Sequence, residues 1–355
     1  MASTGTDPDA EAQLPLSTAS SPDAKEKVGG EQHPGSVGYR DIGGIAHTIP
    51  RFIVHLRIYS WAWFLMPQTT LGLSILLYSQ QKTHDFAGLY VLGLIVYFVG
   101  FVQFFALFAL KALQWLIILG TFKKSFSKPE EVLFSAAFWI SFFGVLTGGI
   151  DYADPKILVG VMAGSLDGHV SASQIYPALL AGLFCAGAGF LYSLPLAGIY
   201  LARLFTVGLP VPDKRPGMMI AVGPPCYAPL AFLRLAASVP VGYGFFQKHE
   251  LGAEVLHIMA LFLSIPMFGF GCFFLIVAIC AISRGARQMS FHLTWYGIVF
   301  PNVGLVTALG LIGKGIPSLP VTWVSTAGTI ILVAIWLFVT ACHVRAIWKG
   351  SEYLW

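Results

Sequence analysis

Residues 87–110 read AGLYVLGLIVYFVGFVQFFALFAL, a run of mostly apolar side chains without a charge. A helix needs about 20 such residues to cross the hydrocarbon core of a bilayer, so this run is long enough to span one. The rest of the chain has the same character. Of its 355 residues, 56% are hydrophobic and 11% are charged, whereas a soluble domain carries about 25% charged residues. The composition therefore predicts an all-α integral membrane protein.

Eight apolar segments follow a polar N-terminal region. We expect helices because backbone groups in lipid must be paired within their own segment, and the alternation typical of a barrel is not visible. The eight expected spans cover 58–79, 87–110, 132–150, 174–202, 218–240, 255–282, 290–313 and 322–343. We predict one transmembrane domain over 39–355 and a disordered tail over 1–38, which is poor in apolar side chains. No basic stretch with a short apolar run opens the chain, so we expect no cleaved signal peptide.

The lysines and arginines alternate from one side of these spans to the other. Of the 21, Arg234 lies within a span, and four fall in loops that are outside if the N-terminus is cytoplasmic: Lys82, Lys156, Lys248 and Lys314. The other sixteen fall in segments that would face the cytoplasm, as the positive-inside rule requires. The pattern predicts two cytoplasmic termini. With no retention signal visible, we expect the plasma membrane.

The sequence lacks the usual parts of a catalytic site. The nine histidines are scattered, and no HExxH, GxSxG or phosphate-binding loop is present. The five cysteines form no CxxC pair, so neither a zinc site nor a disulfide framework is predicted. The net charge of +4 gives no reason to expect a nucleic acid partner. We expect no enzyme, no metal and no cofactor, and favour a conduit lined by apolar side chains, hydroxyls and backbone.

A second stretch, WYGIVFPNVG at 295–304, interrupts the last apolar segment but one. Two glycines and a proline loosen a helix at its middle, and a phenylalanine would project at the bend. A ring in a narrow pore acts as a gate, because a dry apolar constriction blocks ions until it moves. The alternative is a kinked helix with this ring packed in the bundle core. The candidate residues are the gate Phe300 and the lining or hinge residues Gly297, Pro301, Asn302 and Gly304.

Two further groups allow a similar pair of interpretations. Thr69, Thr70 and Gly72 lie within the first span beside the amide of Gln68, and these groups either line a path or bond to their own helix. Arg234 lies about 9 Å from the outer end of its span. Its side chain either snorkels to the interface or marks the outer mouth of an anion path.

Four segments resemble the tellurite-resistance/dicarboxylate transporter family, and look most like its fungal malic-acid transport proteins. Residues 61–72 resemble the first helix of that family and 128–134 the approach to its third. Residues 208–225 resemble the entry to the seventh helix and 291–304 the ninth. The match runs from about residue 55 to the end of the chain.

The resemblance implies ten helices, arranged as five hairpins around a central pore. A phenylalanine of the ninth helix plugs that pore in the family, and Phe300 matches it. The family transports malate, succinate and other C4 dicarboxylates, sulfite, chloride or nitrate, and Asn302 after the proline favours the dicarboxylate branch. The resemblance also implies a homotrimer in the lipid bilayer.

Three features depart from the family pattern. We count eight spans, because only about 23 residues separate Asp151 from Gln174, where the family has two helices. Leu71 stands where the family usually has the first of two glycines, and we expect its side chain to narrow the path. The chain ends at Trp355, short of the family's charged tail, which we interpret as a shortened product. The expected function is malate- or succinate-type transport through a pore gated by Phe300. The alternatives are efflux of sulfite or another anion, and a transport-inactive member.

Overall fold

The computed structural model describes residues 56, 59–84, 86–118, 120–127, 129–152 and 171–349. The predicted tail over 1–38 and most of the shortened segment before Gln174 lie outside these residues. Every described element is helical. The α-helices are α1 (Leu65–His84), α2 (Ala87–Ile117), α3 (Thr121–Ser127), α4 (Pro129–Tyr152), α5 (Ala172–Val207), α6 (Gly223–Ala237), α7 (Phe245–Lys248), α8 (Gly252–Ser283), α9 (Phe300–Gly315) and α10 (Leu319–Trp348).

Seven helical stretches of the described chain are long and apolar enough to cross a membrane. Each overlaps one of the predicted spans. They are Gly88–Ile117, Phe134–Tyr152, Ala172–Val207, Pro212–Ala237, Gly252–Ser283, Leu293–Gly315 and Leu319–Trp348. The remaining predicted span, 58–79, overlaps α1, which has 20 residues but is not apolar enough to count among the seven.

The polarity of α1 follows from its position inside the bundle. It packs against α2, α4, α9 and α10, so little of its surface faces lipid. Its buried polar residues include Gln68, Thr69, Thr70 and Ser74, whose side chains find partners or a cavity instead of hydrocarbon. Hydropathy therefore does not identify α1 as a membrane span although the helix lies inside the bundle, because hydropathy measures only how well a segment suits contact with lipid.

Three inner helices each begin with a 3-10 segment. Residues Trp61–Phe64 precede α1, Pro212–Val222 precede α6, and Leu293–Ile298 precede α9. The joints coincide with prolines: Pro224 and Pro301 occupy the first turns of α6 and α9. A proline costs little there, because the first N–H groups of a helix have no partner within it. The expected single bent helix over 290–313 is thus two helices with a joint.

The long helices differ sharply in how much of them is buried. In the most apolar window of Leu293–Gly315, 72% of the residues are buried, against 6% for Ala172–Val207. Large apolar side chains on the outer helices, such as Phe98, Phe184 and Phe338, are more than half exposed. Such surfaces suit a hydrocarbon solvent, which places α9 at the centre of the bundle and α5 at its periphery.

Leu71 packs away from the centre of the bundle, between α2 and α4. It is fully buried, and a Cβ added at Gly100 would lie 2.8 Å from its Cγ. A Cβ added at Gly144 would lie 3.0 Å from its Cβ. The glycines of two neighbouring helices therefore accommodate this leucine. Although Leu71 was expected to narrow the path, its side chain fills a contact between helices and is not part of the wall of the cavity described below.

Lys111, on α2, anchors the start of the first inner helix. Its side chain is 1% exposed, with Nζ 4.8 Å from the ring centroid of Trp61 and 5.4 Å from that of Tyr59. Nζ also donates to the Tyr59 carbonyl at 3.4 Å, and Glu131 accepts from the Trp61 N–H at 3.2 Å. Aromatic faces and a carbonyl stabilise the buried ammonium, which ties Tyr59 and Trp61 to α2.

Candidate functional site

A cavity of about 350 Å³ lies between α1, α4, α6 and α9. Each helix contributes one face, at spacings of three, four or seven residues that return to the same side of a helix. The size is at the lower end of the range for small-molecule pockets, about 300–1,000 Å³. The lining residues are Gln68, Gly72 and Ile75; Ile140, Phe143, Gly144, Thr147 and Asp151; Tyr227, Leu230 and Arg234; and Phe300, Val303 and Thr307.

Phe300 lies in the wall of this cavity, at the first residue of α9. Its ring approaches the backbone of Gly72 on α1, where an added Cβ would stand 3.2 Å from Cδ2. The ring also stacks on Tyr227 of α6, with centroids 5.0 Å apart and planes 19° apart. The predicted gate residue is therefore in contact with two of the other helices that line the cavity.

Tyr227 makes a second contact with the same residue. Its hydroxyl donates to the Phe300 carbonyl at 2.9 Å. One turn further along α9, Gly304 leaves room for the tyrosine ring, because an added Cβ would lie 2.6 Å from Cε2 of Tyr227. Gly304, predicted as a lining or hinge residue, thus packs directly against the ring of Tyr227.

Four charged residues gather at one end of the cavity. Asp151 and Arg234 line the cavity at this end. Arg234 and Lys82 attract the Asp151 carboxylate, and the same two cations repel the Lys314 ammonium. These residues lie in the last turns of α4, α6, α1 and α9, so the four helices run in the same direction. Three cations and one carboxylate leave this end positive, which favours an anion there.

Thr69 and Thr70 lie outside the described cavity wall. The Thr69 hydroxyl donates to the carbonyl of Leu65 at 2.7 Å and to that of Tyr296 at 3.2 Å. The Thr70 hydroxyl donates to the Met66 carbonyl at 3.0 Å and accepts from Trp336. Both hydroxyls therefore make hydrogen bonds within α1 and between α1 and neighbouring helical segments. Of the group named from the sequence in this helix, Gly72 is the member at the cavity.

The other residues of 295–304 build the joint rather than the wall. Asn302 is buried, and its amide donates to the Ile298 carbonyl at 2.6 Å, which satisfies an acceptor where the 3-10 segment ends. Gly297 faces Ile220, where an added Cβ would be 3.6 Å from Cγ1. Pro301 is buried beside Gly223. These residues set where the helix restarts, and hence where the Phe300 ring points.

Sequence reasoning missed five polar or aromatic residues of the wall. A signal for two of them was present: Tyr227 lies seven residues before Arg234 and Thr307 lies seven after Phe300, so each shares a helical face with a residue singled out from the sequence. No comparable signal marked the other three, because they lie on α4, from which no lining residue was inferred. The missed residues are Phe143, Thr147, Asp151, Tyr227 and Thr307.

The described residues contain no group of three or more His, Cys, Asp or Glu side chains that would hold a metal ion. All five cysteines are free thiols in that part of the chain. Within these limits, the cavity offers hydroxyls, amides, aromatic rings and two charges, which suit passage or weak binding of an anion.

The fold and the cavity define a helical, multi-pass membrane transport protein. A comparison with protein families makes this specific: the chain matches the family model described as SLAC1, voltage-dependent anion channel, over residues 59–156 and 153–344. The chain belongs to this family. The prediction that it is a transport protein rather than an enzyme is confirmed, as is the resemblance stated from its sequence.

Curated relatives agree with this assignment. A "Putative malic acid transport protein" of Schizosaccharomyces pombe is 23% identical over 349 residues, covering 82% of this chain and 80% of the relative. A "Malic acid transport protein" of the same yeast is 29% identical over 195 residues, 54% of this chain and 44% of the relative. A "Sulfite efflux pump SSU1" of Arthroderma otae is 29% identical over 94 residues, 26% and 24% of the two chains.

Proposed function

We propose that this protein moves small carboxylate anions of the malate and succinate type across a membrane, through the cavity between α1, α4, α6 and α9. One observation carries the proposal: Phe300 stands in the wall of a cavity that Arg234 and Asp151 line at its far end, with Lys82 and Lys314 adding positive charge near them. The names of the two yeast relatives support malate as the first substrate to test.

Phe300 is the gate in this proposal. Its ring fills space against Gly72 and Tyr227 at the start of α9, so an anion passing along the four helices meets an apolar constriction. An ion loses hydration in such a constriction and crosses only when the ring moves. The joint at Val299 and Pro301 provides a place where backbone rotation swings the ring without unfolding either helical part.

Arg234 attracts the substrate in this proposal. It is exposed, lines the cavity and lies in the last turn of α6, where the helix dipole also favours a cation. Asp151 partly offsets that attraction and discourages very tight binding. A conduit needs weak binding, because an anion held tightly would leave slowly.

The arrangement in the membrane follows from the charge pattern. We propose that both termini face the cytoplasm, with the transmembrane domain over 39–355 and a disordered tail over 1–38, in the plasma membrane. The cationic end of the cavity is then the outer one. We further propose a homotrimer, by resemblance to the family.

Uptake of labelled malate and succinate into liposomes containing the purified chain tests the function. The variant Phe300→Ala removes the ring and is expected to raise uptake several-fold. A matched control is Phe98→Ala, since Phe98 is 57% exposed on α2 and distant from the cavity wall. Saturable uptake that rises with Phe300→Ala and not with Phe98→Ala supports the gate. Saturable uptake that Phe300→Ala does not change would refute the gating role of Phe300 but would still support transport of these anions.

A second candidate, sulfite efflux, is favoured by the matching segment of a fungal sulfite pump. Unlabelled sulfite added as competitor tests this candidate. If sulfite uses the same path, it reduces the uptake of labelled malate at concentrations similar to those at which unlabelled malate does. A third candidate is a transport-inactive member. The family match falls into two parts that meet at 153–156, beside the shortened segment. Inserted, folded protein that takes up neither malate nor sulfite would favour this alternative.

A further inference from the structure

We propose that Tyr227 is the positioning residue of the gate: its ring and hydroxyl hold Phe300 in the closed position, and the path opens when that contact is released. The proposal rests on the gating role of Phe300 given above. It assigns the partner of the gate to a helix other than the one that carries it.

Tyr227 holds Phe300 at two places at once. The side chains stack with centroids 5.0 Å apart, and the tyrosine hydroxyl bonds to the Phe300 carbonyl at 2.9 Å. The stack restrains the ring, and the hydrogen bond restrains the backbone from which the ring projects. Since Phe300 is the first residue of α9, its backbone lies at the joint with the 3-10 segment. A rotation there disturbs both contacts together.

The surroundings of Tyr227 are built to fix it. Gly304, which lacks a Cβ, leaves room for the tyrosine ring on α9, because an added Cβ would lie 2.6 Å from Cε2 of Tyr227. The preceding residue, Cys226, is fully buried and packs against Gly271 of α8. Because α6 packs tightly against α8 beside Tyr227, the tyrosine can stay in place while α9 moves.

The hydroxyl is the separable part of this contact. Replacing Tyr227 with Phe keeps the stack and removes one hydrogen bond of ordinary strength, which corresponds to about a three- to tenfold change in the ratio of closed to open states. The effect belongs to the gate only if it depends on the ring of Phe300. In a chain that lacks the ring, loss of the hydroxyl leaves the path open as before.

The experiment compares malate uptake by Tyr227→Phe in two backgrounds, the native chain and Phe300→Ala. We expect a three- to tenfold rise in the native background and less than a twofold change in Phe300→Ala. Tyr97→Phe is the matched control, because the Tyr97 hydroxyl donates to the Val145 carbonyl at 3.0 Å within the bundle and outside the cavity wall. It should leave uptake unchanged in both backgrounds. A similar rise in both backgrounds, or none in the native one, overturns the proposal.

A second measurement does not depend on transport. 4-Fluorophenylalanine introduced at position 300 by stop-codon suppression reports on the ring by fluorine NMR. Tyr227→Phe is expected to shift and narrow the signal as the ring gains freedom, whereas Tyr97→Phe should not. If Phe300→Ala leaves uptake unchanged while this signal responds, gating fails but the positioning contact stands. An unchanged signal refutes the positioning role whatever the uptake shows.

Discussion

The ring of Phe300 lies against the backbone of Gly72, so closely that a Cβ added to the glycine would stand 3.2 Å from Cδ2. A side chain on α1 at this position would therefore have to displace the ring of a residue more than two hundred positions away. The contact joins two of the helices that line the cavity, and it sets how much space remains beside the ring. Small residues commonly allow such close approach between membrane helices.

Gly72→Ala should narrow the space beside the gate. The added methyl group fits only if the ring yields by a few tenths of an ångström, so we expect malate uptake to fall by about three- to tenfold, the effect of a free-energy change of about 1 kcal/mol. Gly187→Ala serves as control, because a Cβ there meets nothing within 4 Å. Adding Phe300→Ala to Gly72→Ala should restore uptake to that of Phe300→Ala alone. A double variant that stays slow would place the block elsewhere.

Leu71→Ala should cost stability and leave the path unchanged. The side chain is fully buried between Gly100 and Gly144, so truncation leaves a hole of the kind that costs about 2–5 kcal/mol. We expect a clear fall in melting temperature in detergent, with uptake per folded molecule unaffected. Leu191→Ala, at a side chain 66% exposed, should do neither. Faster uptake by Leu71→Ala would show that this leucine obstructs the path after all.

Arg234→Gln and Asp151→Asn should act in opposite directions. The first removes a cation from the cavity and should raise the KM for malate about three- to tenfold, while the second removes the competing carboxylate and should lower it. Both effects should shrink at high ionic strength, since salt screens exposed charges. Lys248→Gln, at the end of α7 and outside this cavity, is the control. Changes of the same sign in both variants would contradict the electrostatic account.

Thr70→Val and Thr147→Val should distinguish a residue that links two helices by a hydrogen bond from a residue that lines the cavity. The Thr70 hydroxyl accepts a hydrogen bond from Trp336, so its loss should cost about 1 kcal/mol of stability without altering the KM. Thr147 lines the cavity, and its loss should change the KM with little effect on stability. Thermal unfolding and uptake measured on the same preparations check both. An altered KM in Thr70→Val alone would reverse the assignment.

The sequence was informative wherever a single segment carried the signal. The run over 87–110 predicted the helix Gly88–Ile117, because length and hydropathy decide membrane insertion locally. The stretch around Phe300 was recognised as irregular for the same reason, since prolines and glycines act on their own backbone. The predictions for these segments needed no knowledge of their neighbours.

Predictions failed where the answer depended on a neighbouring helix. Leu71 was expected at the path because the family usually has a glycine there, but the direction of its side chain is set by Gly100 and Gly144 on neighbouring helices. Tyr227 shares a helical face with Arg234, which lies seven residues further on, but its contact with Phe300 joins residues 73 positions apart. Helical phase could therefore place Tyr227 at the cavity, whereas its pairing with Phe300 required the fold.

The 3-10 segment Pro212–Val222 makes the approach to α6 longer than the same residues would be in an α-helix. Its 11 residues rise about 2.0 Å each, against about 1.5 Å in an α-helix, so rewinding them as α would shorten the segment by about 5.5 Å. That distance is close to one α-helical turn. Each of the three inner helices that begin with a 3-10 segment therefore spans more of the bundle axis than the same number of residues would as a continuous α-helix.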